Sequence, residues 1–322
     1  MKAHSELVRR CALDRLETIG PLSKEGFAEL ELAVERDIDS FVETPQTRAF
    51  QVVAEALPKA QPTKDDELLD DEAYVQERDR RRARLKRACD SALALDDRCL
   101  DARLLEAIMA EDDPEALFER LLSLWQGESG GLPTLEPDTS DAWSDVLPHP
   151  LLRLGAALSR AELETARYRA SAEMASLVMS RMPHDELGCR HTCALAYARL
   201  EDEDAFGRLD ASNDRHGDAW THVARALLLY KLDRMPAAHR ALLGFARLCE
   251  GGSYALLRPT YVEAYLPDRP EVRQGSFEEA QLALHEADPI VVDTPDFVAW
   301  AADQEGIVDG AVSFAEREGL DW

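Results

Sequence analysis

What most limits the folds open to this chain is the interval at which its apolar residues return. From Phe27 to Phe41 they recur every three or four positions (Leu30, Val34, Ile38, Phe41), which puts them on one face of a helix. No sustained alternation rich in Val, Ile and Thr appears, and no turn dipeptide stands between two apolar runs, so strands are not expected. Helix-start signals repeat instead. Thr44-Pro45, Asp113-Pro114 and Thr294-Pro295 each pair a side-chain oxygen for orphan amides with a proline preset for the first turn. Ser276 with Glu279 reads as a capping box. The chain is expected to be all-α.

The helices are expected to come in pairs. A tetratricopeptide unit is ~34 residues long, two antiparallel helices with small residues where they cross. Leu152 to Pro183 fits: Ser159 lies at the crossing, Tyr168 opens the second helix, Ser171 follows and Pro183 closes. Ala219 to Ala246 fits with a short insertion, turning at Leu232-Asp233-Arg234-Met235. Leu187 to Arg199 with a shorter helix around Ala205 makes an abbreviated unit, and Leu85 to Ala107 another pair. Each unit of this kind buries its apolar face only against the next. The spacing therefore predicts a tetratricopeptide-like α-solenoid of antiparallel helix pairs, with helices added at both ends. Three divisions are expected. Residues 1–62 form an N-terminal helical segment closed by Pro58, Pro62 and Asp65-Asp66-Glu67. Residues 66–250 carry the repeats, interrupted by a Gly- and Pro-rich loop at about 126–150, and 251–322 form a C-terminal extension with two more short helices.

From about Leu85 to Trp300 the chain resembles bacterial tetratricopeptide-repeat proteins related to the suppressor-of-tumorigenicity-7 family. The carrying stretches are Ala92-Leu93-Ala94-Leu95-Asp96, Cys99-Leu100-Asp101-Ala102 and Asp113-Pro114-Glu115-Ala116-Leu117. They continue with Pro150-Leu151-Leu152-Arg153 and His184-Asp185-Glu186-Leu187-Gly188-Cys189-Arg190. The most specific are Gly275-Ser276-Phe277-Glu278-Glu279-Ala280 and Thr294-Pro295-Asp296-Phe297-Val298-Ala299-Trp300. Departures are His184, where the group has Asn, and Asp296, where it tends to have Gly. Some members carry a zinc-binding tail; here the last cysteine is Cys249, so that module is missing. The resemblance implies a helical repeat scaffold without established catalysis, and no cofactor.

Charge narrows the partners. With 63 acidic against 37 basic residues, the formal net charge is −26. That argues against nucleic acid and anionic membranes, both of which need a positive surface. No apolar run approaches the ~18–20 residues that cross a bilayer, and the start lacks the apolar core of a secretory signal. A cytoplasmic location is expected, with the six cysteines as free thiols.

The first helices of successive units should line a concave face, and on the alignment above that face receives Arg153, Arg160, Arg190 and Arg225, with Tyr197 and Trp220 nearby. Guanidinium groups grip carboxylates bidentately, so a partner protein or acidic peptide is the expected ligand of this groove. The competing expectation is that these arginines pair with carboxylates of adjacent helices, or that the chain's own acidic segment fills the groove. Two other classes stay open. One is a purely structural or self-associating protein with an apolar patch at Trp300, Phe314 and Trp322. The other is a hydrolase-type enzyme built on Ser129 or His149, since Gly127-Glu128-Ser129-Gly130-Gly131 matches a nucleophile-elbow pattern in letters but lacks the strand that pattern needs. Cys189 and Cys193 read as buried thiols at a helix crossing rather than metal ligands. The run Arg78 to Arg87 reads as a solvated, salt-bridged helix face.

Overall fold

The computed structural model describes the chain except residues 1, 2, 64, 65, 67, 68, 111, 112, 129, 131–141, 214–216, 260, 261, 263 and 264. It is 75% helical, and no strand occurs among the described residues. Two compact units divide between Leu154 and Gly155.

The N-terminal unit contains α1 (Ala3–Ile19), α2 (Lys24–Arg36), α3 (Pro45–Ala60), α4 (Asp71–Leu95), α5 (Leu100–Ala110), α6 (Pro114–Glu128) and the start of α7 (His149–Glu164). Neighbours in sequence pack as neighbours in space: α1 on α2 and α3, α3 on α4, α4 on α5, α5 on α6. Leu7, Val8, Cys11, Val34, Phe50 and Ala54 form the core of its first three helices. The cap at Thr44 forms as its chemistry dictates, with Thr44 Oγ1 accepting from the Thr47 amide. Three local expectations need correction. The stripe toward Phe41 is not one helix, because Asp37 leaves helical geometry and a 3₁₀ turn (Ile38–Ser40) follows. Pro58 sits inside the last turn of α3 rather than ending it. In the basic run of α4, Arg81 is buried and bonds Asp66, while Arg80 and Arg84 pair with Glu77 at the surface.

The C-terminal unit contains the rest of α7, then α8 (Tyr168–Met179), α9 (Cys189–Leu200), α10 (Glu203–Ser212), α11 (Ala219–Lys231), α12 (Met235–Leu248), α13 (Gly252–Leu257), α14 (Phe277–Val292), α15 (Phe297–Ala302) and α16 (Ile307–Glu318). Here α8 packs on α9, α9 on α10 and α11, and α11 on α12. Ser159 and Ser171 are both buried, and the Ser171 hydroxyl donates to the Ser159 carbonyl at 2.8 Å, a close approach that only small side chains permit. Among the described residues beyond 250, four helices stand where two short ones are expected. Thr294 does not cap α15: its hydroxyl donates back to the Ile290 carbonyl, and the helix begins after Asp296, which has φ 63°.

One hairpin turn recurs. Ala166, Glu201 and Asp233 hold left-handed φ of 61°, 60° and 56°. Each is followed by a residue whose amide bonds five positions back: Arg167 to Glu162 O, Asp202 to Tyr197 O, and Arg234 to Leu229 O. This is the helix-ending Schellman arrangement, and it returns at the close of α7, α9 and α11.

Residues after 250 share the core of the helices before them because α14 packs onto α9 and α11. Ala280, Leu284, Ala287 and Ile290 of α14 share one apolar cluster with Leu195, Val223 and Leu227.

Candidate functional site: a charged pocket at the amino ends of α9 and α11

The site is organised by a fully satisfied ion pair. Arg269, between Pro267 and Pro270, sends Nε and Nη2 to the two carboxylate oxygens of Glu286 on α14, at 2.7 and 2.9 Å. Its remaining donors reach the carbonyls of Leu187 and Gly188 and the hydroxyl of Thr192. Glu286 also accepts from Tyr265 Oη and Trp220 Nε1. Burial would raise the Glu286 carboxyl, but the Arg269 charge and these hydrogen bonds outweigh it and hold it below its ordinary range. Gly188 permits the approach. It has φ +65°, and a Cβ there would stand 2.9 Å from both Arg269 Nη1 and His191 Cδ2.

Beside this pair lies an open pocket of about 470 Å³, lined by residues of the turn before α9, the amino end of α11, the 269–274 strap and the start of α14. Its carboxylates are largely helix caps. Asp185 accepts from the amides of Cys189 and Arg190. Asp218 Oδ1 accepts from the Thr221 amide. Glu279, expected to close a box on Ser276, donates its amide to that residue's hydroxyl oxygen but turns its carboxylate to accept from the amides of Ala219 and Gly275. Burial raises the carboxyls of both Asp185 and Glu279 above their ordinary range, and for Glu279 the neighbouring Asp218 adds to the rise.

His191 stacks on Trp220 with ring centroids 4.1 Å apart. Burial, then Arg269 and Arg190, push its pKa well below the usual imidazole value, so it is neutral near pH 7. Its Nδ1 lies 3.6 Å from Asp218 Oδ2. Both atoms are buried, and neither has a hydrogen-bond partner among the described residues. In native interiors such atoms are rare.

Of the six residues expected to form a groove, Arg190 and Trp220 line this pocket and Arg160 supports it. Arg190 pairs with Asp185 and lies 3.6 Å from Asp218. Arg160 donates to the Pro267 carbonyl and lies over the Tyr265 ring. Arg225 pairs with Asp210, and Tyr197 is half-buried with its hydroxyl near Ser176. Arg153 belongs to the N-terminal unit, where it is buried against Glu6 and Asp101 together with Arg10. All four arginines are thus engaged by oxygens of their own chain. Asp218, Arg269, Glu279 and Glu286 went unnamed as site residues. Asp218 and Glu279 carried a cap signal, whereas nothing local to Arg269 or Glu286 announces a partner seventeen residues away.

The remaining expected features fall elsewhere. Cys189 and Cys193 are buried, with burial raising their thiols to about 12 and about 11. Ser129 lies outside the described residues, and His149 is fully buried, stacked on Trp143 and 3.2 Å from Glu6. Phe314 is buried against Tyr254 and Phe277, while Trp300 packs on Tyr230. Among the described residues no group of three or more His, Cys, Asp or Glu is placed to hold a metal, and no helix is long and apolar enough to cross a membrane.

No family model, curated protein or solved structure matches the chain. Residues of the 184–190 stretch and Glu279 of the 275–280 stretch both line the pocket walls. Those walls bring carboxylates, guanidiniums and a neutral imidazole to one opening.

Proposed function

We propose that the chain is a non-catalytic recognition scaffold of the tetratricopeptide-like kind, cytoplasmic, which engages a segment of a partner protein at the pocket beside α9 and α11. The observation that carries this is the hairpin turn recurring at Ala166, Glu201 and Asp233. Its spacing is close to the ~34-residue period of such repeats. The small residues at the α7–α8 crossing support the same reading, as does the succession α8, α9, α11, α12 of packed neighbours. In repeats of this kind the first helices line the inner face. α14 lies on two of them, α9 and α11, so that face is taken by the chain itself. A partner is then met at the opening that α14 leaves. That opening is lined by charged helix caps, Asp185, Asp218 and Glu279.

The test places a photo-crosslinking residue at Glu186 or Glu271, both exposed on the pocket rim, and at Glu316 on α16 as control. In lysate of the source cells, mass spectrometry is expected to find one partner crosslinked at the rim positions and not at 316. Identical adducts at all three positions, or none, overturn the reading.

A further inference from the structure

We infer that the pocket binds a primary ammonium group, that of a lysine side chain of the partner, between Asp218 Oδ2 and His191 Nδ1. This rests on the recognition reading above and names the chemistry that the opening selects.

Two atoms without a hydrogen bond among the described residues are the first ground, with Arg190 Nη2 standing 3.6 Å from Asp218 Oδ2. Asp218 Oδ2 is a pure acceptor, since a carboxylate has no proton to give. A neutral imidazole offers one acceptor nitrogen, and the tautomer this binding requires carries its proton on Nε2, so that His191 presents Nδ1 as the acceptor beside that same carboxylate oxygen. At 3.6 Å apart they are too far to satisfy each other and close enough for one donor nitrogen to reach both. An ammonium carries three donors and no acceptor, so it matches two acceptors side by side. A planar guanidinium spreads its donors over a wider fork, and a carboxylate brings only further acceptors.

Charge is the second ground. Asp185, Glu186, Asp218, Glu271 and Glu279 face the pocket against Arg190 and Arg269. Arg269 has no donor left and is matched by Glu286. The opening is therefore net negative in its own right, with low-dielectric walls that focus the field on an entering cation. Arg190 stands at its edge, 31% exposed at the side chain, and already leans on Asp185. The acidic groove ligand expected from the arginine pattern would meet an excess of carboxylates here.

The experiment uses the full-length protein and three blocked tripeptides, acetyl-Gly-Lys-Gly-amide and its counterparts with norleucine or glutamate at the centre, titrated by calorimetry at low ionic strength. The lysine peptide is expected to bind at least about tenfold more tightly than the norleucine peptide, in keeping with one charged hydrogen bond. Asp218→Asn keeps a capping oxygen for the Thr221 amide, so it preserves α11 while abolishing that preference. His191→Phe retains the stack on Trp220 and is expected to weaken lysine binding several-fold. A urea midpoint for each variant confirms the fold. Equal binding of lysine and norleucine peptides, which is what a water bridging the two atoms would give, overturns the inference, as does a preference for glutamate. Unchanged lysine binding in Asp218→Asn overturns it too. Each of these results leaves the recognition scaffold standing, because crosslinking at positions 186 and 271 is scored without any peptide.

Discussion

Arg269 and Glu286 form a buried pair in which all five guanidinium hydrogens and both carboxylate oxygens are used, with side chains 8% and 6% exposed. The cost of desolvating such a pair is met only while both members are present. Glu286→Ala is therefore expected to destabilise the chain by about 3–5 kcal/mol, through the charge left alone on Arg269. Arg269→Met combined with Glu286→Leu removes both charges and is expected to recover about half of that loss. Urea unfolding of the three proteins decides it, and a single-variant loss under about 1 kcal/mol would refute the account. This pair also shows where a sequence goes silent. Arg153, Arg160, Arg190 and Arg225 were legible as helix positions, and their residue type drew attention in an acidic chain. Which oxygen each would meet depends on helices far off in sequence. Glu6 reaches Arg153 across 147 residues and the Pro267 carbonyl reaches Arg160 across 107. No spacing rule spans such gaps, so an arginine on a helix face looks free until its long-range neighbour is in place.

At the scale of elements the chain was easier to read, because a helix depends on neighbours three and four residues away. The helix pairs from α7 to α12 sit close to their expected limits, and Tyr168 opens α8 as expected. What escaped was anything set by geometry without a marker residue. The recurring turn uses Ala166, Glu201 and Asp233 in the left-handed region, where glycine is the usual occupant. Non-glycine residues there cost roughly 1–2 kcal/mol in backbone sterics. Asp233→Gly, at an exposed position, is thus expected to raise stability by about 0.5–1 kcal/mol, the relief of strain being partly offset by the freer unfolded chain. Gly188→Ala should do the reverse, costing about 2 kcal/mol or more, since it adds a Cβ at positive φ and against Arg269. Both are read as shifts in thermal midpoint. A gain from Gly188→Ala, or a loss from Asp233→Gly, would mean that these turns are not strained in the way their φ angles imply.

For the molecule as a whole, the −26 charge and the buried carboxyls whose pKa is raised both lower stability as pH rises, and two ion-paired carboxyls oppose them. Glu162 is buried, its Oε2 has no hydrogen-bond partner among the described residues, and burial raises its pKa to about 7. The folded chain therefore holds that proton more tightly than the unfolded one, and stability is lost as pH rises from the ordinary carboxylate value toward 7. Asp185 and Glu279, also raised by burial, act in the same direction. Repulsion among the surplus carboxylates grows over the same range. Glu6 and Glu286 work the other way. Burial would raise both, but His149 and Arg153 beside Glu6, and Arg269 beside Glu286, hold them below their ordinary range. Their contribution is complete above the unfolded carboxylate pKa and is lost as pH falls below it. The urea midpoint is thus expected to rise on going from pH 8 to about pH 5 and to collapse below about pH 4. Added salt separates the two causes of the upper limb. From about 0.02 to 0.15 M it shortens the screening length to about 8 Å, weakening surface repulsion but barely touching a buried group. At pH 8 salt should raise the midpoint of the wild-type chain and of Glu162→Gln alike. Without salt, Glu162→Gln should already gain at pH 8 and gain nothing at pH 5. A midpoint that is highest at pH 8 in low salt would contradict both the isolation of Glu162 and the self-repulsion of the acidic surface.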